Sequence, residues 1–189
     1  MMKAFCAVGV FVVFTMMTIP QVLAGDTPCL PNLGAVTIGG NVVVDGVCTL
    51  NGATVDGSVK LKAGASLLAT SAIIKGSVQD EESGVERVRL SFTDVDGDVQ
   101  LEEVAGARVS RIVDSAVGGS VQLEFNSAAF VVKDNDIGSD LQANNNTGGI
   151  EITGNDIDGN LQCQDNDPAP TGGGNTVGGS AENQCEGLS

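Results

Sequence analysis

The sequence predicts an all-β fold, a parallel β-solenoid of about eight coils with a period near 20 residues. Three observations lead there. A short phrase, [V/I]-x-G-[polar]-[V/L], returns eight times, at steps of 17, 19, 21, 22, 20, 20 and 20 residues. The positions around its glycine alternate apolar and polar, a period of two that belongs to strands. After the first 24 residues, no stretch carries the 3.6-residue apolar pattern of an amphipathic helix. A unit this short cannot bury its own apolar side; stacking successive units buries a continuous column.

Taken in order, the chain begins with what reads as a secretory signal peptide over residues 1–24. Lys3 supplies the positive start, residues 4–17 (AFCAVGVFVVFTMM) the apolar stretch, and Val22-Leu23-Ala24 the small-residue exit. The apolar stretch is short for a bilayer span, so stable membrane insertion after cleavage is not expected. Residues 25–189 are then one domain. The phrase appears as IGGNV at Gly40, VDGSV at Gly57, IKGSV at Gly76, VDGDV at Gly97, VGGSV at Gly119, IGSDL with Ser139 in the glycine place, IDGNL at Gly159 and VGGSA at Gly179. Two places before the glycine stand Ile38, Val55, Ile74, Val95, Val117, Ile137, Ile157 and Val177; two places after stand Val42, Val59, Val78, Val99, Val121, Leu141, Leu161 and Ala181. These mostly β-branched columns suit inward strand positions. The glycine itself is expected to supply backbone angles that a β-carbon forbids. Lys60, Gln79, Gln100, Gln122, Gln142 and Gln162 form a polar column facing outward. Four places before the glycine, Asn135, Asn155 and Asn175 recur at equal spacing, where Asn suits a turn. Amides in register, the Gln column included, can bond up and down a stack. At about 4.8 Å per rung, eight coils stand about 35 Å tall.

Cysteine and charge narrow the setting. Cys6 leaves with the signal; Cys29, Cys48, Cys163 and Cys185 remain, an even number that reads as two disulfides in an exported chain. Cys29 and Cys48 are 19 apart and Cys163 and Cys185 are 22 apart, each about one coil. The expected pairs are therefore Cys29–Cys48 and Cys163–Cys185, stapling the two ends where strand edges are open. The chain's formal charge is −15, and Asp134–Ser189 holds ten acidic residues and no Lys or Arg. Such a surface repels nucleic acid and anionic lipid and favours cations or basic partners.

The recurring DIDGNLQC-type phrase and the tail NLQCQDNDPAPTGGGNTVGGSAENQC (160–185) resemble the exported right-handed parallel β-helix proteins of bacteria, a group similar in fold to pectate lyases. The resemblance implies a right-handed coil and a place outside the cell, at its surface or in the periplasm. It also implies the chemistry that such folds support on polysaccharides: acidic residues holding calcium and a basic residue that abstracts a proton.

The residues offer candidates for that chemistry. Asp94, Asp96 and Asp98 in TDVDGDV share one side of a straight strand, and hard oxygen ligands suit calcium. Arg87, Arg89, Arg108 and Arg111 lie nearby. Yet polar residues flank the glycine in every coil, so a structural role for these aspartates is the simpler reading. The chain has no His, hence no Ser-His-Asp or Cys-His arrangement. Only residues 80–87 (DEESGVER) and 164–174 (QDNDPAPTGGG) are expected to bulge from the stack, and residues 167–176 read as a loop. The function expected is therefore noncatalytic: an adhesin-like, matrix or envelope module whose Gln, Asn, Ser and Asp faces meet polysaccharide, other surface molecules or copies of itself. A polysaccharide lyase or hydrolase, or a calcium-dependent glycan binder, is the alternative.

Overall fold

The computed structural model describes residues 25–29 and 31–189; the expected signal peptide lies outside the described residues. The strands fall into three sheets. Sheet A has nine strands, beginning with Thr27–Pro28 and Val42–Val44 and ending with Ala181–Asn183. Sheet B has seven, from Val47–Asn51 to Thr171–Gly173, and sheet C has eight, from Thr37–Ile38 to Thr176–Val177. A coil runs through C, then A, then B, and seven coils close all three sides. The pairing is parallel and in register: Val99, Val121, Leu141 and Leu161 are successive partners, so a column in the sequence is a column in space. No helix occurs among the described residues.

A two-residue strand has almost no stability of its own. Ile74 becomes stable because Val55 and Val95 sit directly below and above it, all three buried. Burying each such side chain is worth about 1.5–3 kcal/mol. The resulting core is continuous from Ile38 to Leu188. The core thins at both ends, where Cys29 and Leu33 at one and Val177 and Ala181 at the other are partly buried.

The recurring glycine has a different cause from the one the sequence suggests. Gly57, Gly76, Gly97, Gly119, Gly159 and Gly179 do not adopt positive φ. They are needed because the coil beneath leaves no room for a side chain. A β-carbon on Gly97 would lie 2.5 Å from Ser77 Oγ and 2.9 Å from the Gly76 carbonyl oxygen. The polar residue after the glycine in one coil reaches over the next coil's glycine and accepts the following backbone N–H. Ser58 N donates to Asn41 Oδ1 (2.9 Å), Asp98 N to Ser77 Oγ (3.1 Å), Ser120 N to Asp98 Oδ1 (2.8 Å) and Asn160 N to Asp140 Oδ1 (2.7 Å). Glycine and polar residue are thus one device read across two coils. Where Ser139 takes the glycine place, the bond from Asp140 N to Ser120 Oγ lengthens to 3.4 Å.

Positive φ occurs at the other two corners, mostly at non-glycine residues. Between sheets B and C the left-handed position is held by Ser71, Phe92, Asp114 and Asp134; between A and B it is held by Glu103, Phe125, Asn145 and Asp165. Each is followed by a buried residue that turns into the core, such as Thr93, Ser115 or Asn135 after the first set and Val104, Asn126 or Asn146 after the second.

The ends are closed. Disulfides join Cys29 to Cys48 and Cys163 to Cys185, with Cα separations of 5.7 and 5.3 Å. At the C-terminal end Leu188 folds under the last coil, buried, and accepts hydrogen bonds from Asn175 N and Nδ2. The Pro/Gly-rich segment expected to be a loop supplies strands at Thr171–Gly173 and Thr176–Val177, because the coil beneath templates them.

Candidate functional surface

Two buried amide ladders run up the corners. In the first, Asn135 Nδ2 donates to Asn155 Oδ1, and Asn155 Nδ2 to Asn175 Oδ1, both at 2.8 Å. Each also donates to a carbonyl of the coil below, Asn135 to Ile112 O (2.8 Å) and Asn155 to Val132 O (3.0 Å). Each Oδ1 accepts a backbone N–H besides: Ser115 N bonds to Asn135 Oδ1 and Asn135 N to Asn155 Oδ1. A second ladder, absent from the sequence reading, runs Asn126, Asn146, Asn166 and ends on Gln184 Oε1. Asn126, Asn146 and Asn166 recur every 20 residues, which is the signal that could have revealed it. No buried side-chain N or O atom among the described residues lacks a partner. These buried amides are spent on holding coil to coil.

The outward Gln column behaves differently. Gln100 Nε2 donates to Gln122 Oε1, Gln142 Nε2 to Gln162 Oε1 (both 3.1 Å) and Gln162 Nε2 to Glu182 Oε2 (3.0 Å). These bonds lie on the half-buried outer side of sheet A. The same face carries two adjoining open hollows lined by Asp80, Glu81, Glu82, Glu102, Glu103 and Glu124, with Gln100 and Gln122. Asp80 Oδ2 accepts the Glu102 N–H at 2.7 Å. Burial, reinforced by the charges of Glu102 and Glu103, nevertheless pushes the Asp80 carboxyl above the usual carboxylate range.

The structure separates the candidates for calcium and base chemistry. The strand at Asp94 is only two residues long, so the chain turns before Asp98. Asp94 and Asp96 are exposed on the outside of sheet C. Asp98 is half-buried past the turn, its Oδ1 engaged over Gly119. Among the described residues no group of three His, Cys, Asp or Glu side chains is disposed to hold a metal ion. The arginines lie elsewhere: Arg87, Arg89 and Arg111 lie in or beside the strands of sheet B, and Arg108 in the corner before it. Arg89 and Arg111 are register partners on neighbouring rungs. Arg87 Nε donates to Val109 O (3.3 Å) and Arg89 Nε to Ser91 Oγ (3.4 Å). Partial burial, then repulsion from Arg89, Arg108 and Arg111, holds the Arg87 guanidinium below its ordinary range. An open hollow continues this face along the axis, past Val109, Arg111, Val131 and Glu151 to Thr171.

The basic residues divide sharply. Lys60, Lys62, Lys75 and Lys133 all make ion pairs, the shortest being Lys75 to Asp56 at 2.7 Å. None of the four arginines makes one among the described residues. Flanking them are Phe92, 63% exposed at the corner of B and C, and Phe125, 52% exposed at the corner of A and B. Both hold φ near +50° (50° and 53°), a costly setting for a bulky side chain.

No family model, no curated protein and no solved structure matches the chain. The disulfides suit an oxidising, extracellular setting. No helix of the described residues is long and apolar enough to cross a membrane.

Proposed function

We propose that the chain is a noncatalytic exported scaffold, an adhesin-like module of the cell surface, matrix or envelope, which binds through its flat faces. It belongs in this reading with the secreted right-handed β-helix proteins that its phrases resemble. The observation that carries the reading is how the polar chemistry is divided. The buried amides and the residues over the glycines are engaged in joining coil to coil. What remains available is on open faces: the Gln column of sheet A, the acidic outer side of sheet C and the unpaired arginines of sheet B. Extended faces with a repeat of about 4.8 Å suit a partner that is itself extended or repeating.

One observation favours the alternative, an enzyme acting on polysaccharide. A carboxyl with a raised pKa beside other carboxylates, as at Asp80, Glu102 and Glu103, is the pattern of a general acid paired with a base. A retention assay on immobilised polysaccharides, with and without calcium, separates the readings. Retention that falls at least tenfold in Arg89→Ala/Arg111→Ala and is unchanged in Asp80→Asn supports the scaffold. Activity on any of these polymers that disappears in Asp80→Asn supports the enzyme.

A further inference from the structure

We infer that the arginine face of sheet B is a docking surface for a second copy of this chain, whose acidic sheet C is the occupant. This rests on the scaffold reading and names one partner for it. Four unpaired arginines flanked by two exposed phenylalanines have the composition of an interface centre, which favours Arg and aromatic residues over Lys. The phenylalanines in left-handed corners point the same way, since nothing in the fold gains from a bulky side chain there. The matching surface is in the same molecule. Asp136, Asp156 and Asp158 are exposed on the outside of sheet C and make no ion pair among the described residues. Residues 134–189 contain no Lys or Arg.

The spacing agrees as well as the sign. Arg89 and Arg111 are partners one rung apart; so are Asp136 and Asp156. Both pairs therefore repeat at about 4.8 Å, and two arginines can meet two aspartates across the contact. Because B and C are different faces, the contact is head-to-tail in kind: each copy offers both halves, and association continues beyond a pair. The net negative charge opposes approach at long range, so assembly is expected only at high protein concentration.

Sedimentation velocity of the exported protein over a concentration series tests this. The expected result is a concentration-dependent heavier species in the native protein. That species is lost in Arg89→Glu/Arg111→Glu, lost in Asp136→Arg/Asp156→Arg, and regained when the two variants are mixed, because each then carries the complement of the other. Unchanged thermal melting of both variants shows that folding is intact. A native protein that stays monomeric throughout, or association that neither variant alters, overturns the inference. If the monomeric native protein is still retained on a polysaccharide, the scaffold reading survives and only self-docking falls.

Discussion

A single buried asparagine shows how this fold is held. Asn155 donates twice and accepts twice, to Asn175, Val132, Asn135 Nδ2 and Asn135 N. Asn155→Ala removes the acceptor of Asn135 N and the donor to Val132 O, at about 1–3 kcal/mol for each group not otherwise satisfied. A loss of about 3 kcal/mol or more in urea unfolding is expected, whereas Asn145→Ala, exposed at another corner, should cost only about 1 kcal/mol, for an unfavourable backbone angle. Asp80 gives a prediction with pH. Its carboxyl is raised in the folded chain, so the charged form is disfavoured by folding. Its contribution is most favourable below the ordinary aspartate pKa and is lost as pH rises through the raised value. Asp80→Asn keeps an acceptor for Glu102 N–H and removes the charge. It is expected to raise stability at pH 7 and to make no difference at about pH 3, by urea titration at both.

At the scale of the element, the corner decides what the strand can do. The turn from C to A places a glycine under the polar cap of the preceding coil, so Gly97→Ala pushes a β-carbon into Ser77 and Gly76. A loss of about 1–3 kcal/mol is expected by thermal unfolding, and Ser77→Ala in the same chain should recover part of it by relieving the Oγ contact. The strands themselves were legible: Val99, Gln100 and their counterparts alternate inward and outward in both sequence and structure. The reason for the glycine was not, because the crowding comes from a residue one coil away and leaves no local mark. The Asn135, Asn155, Asn175 column was visible because it lies a fixed four places before the glycine. The Asn126, Asn146, Asn166 column lies a fixed seven places after the glycine place, outside the short phrase by which the repeat is recognised. Earlier coils place Val104 and Val85 at this corner, so it is apolar before it becomes an amide ladder and its polar character shows only across the last coils.

At the scale of the molecule, the charge of −15 hides its distribution. The sequence supports a surface that repels anions; the coil brings Arg89 and Arg111, 22 residues apart, onto one face and makes a basic island in an acidic protein. The disulfides act at the ends. Cys163–Cys185 closes a span of 22 residues, worth about 3 kcal/mol by chain entropy. Cys163→Ser/Cys185→Ser should lower the melting temperature and speed amide exchange in residues 171–189 before the middle coils, as hydrogen exchange would read. We propose that these faces bind without turning anything over. The test is to incubate residues 25–189 with a panel of polysaccharides, with and without calcium, and follow both the protein retained and the sugar ends released with time. Retention with no release is expected; ends that accumulate with time and scale with protein concentration would overturn the scaffold proposal.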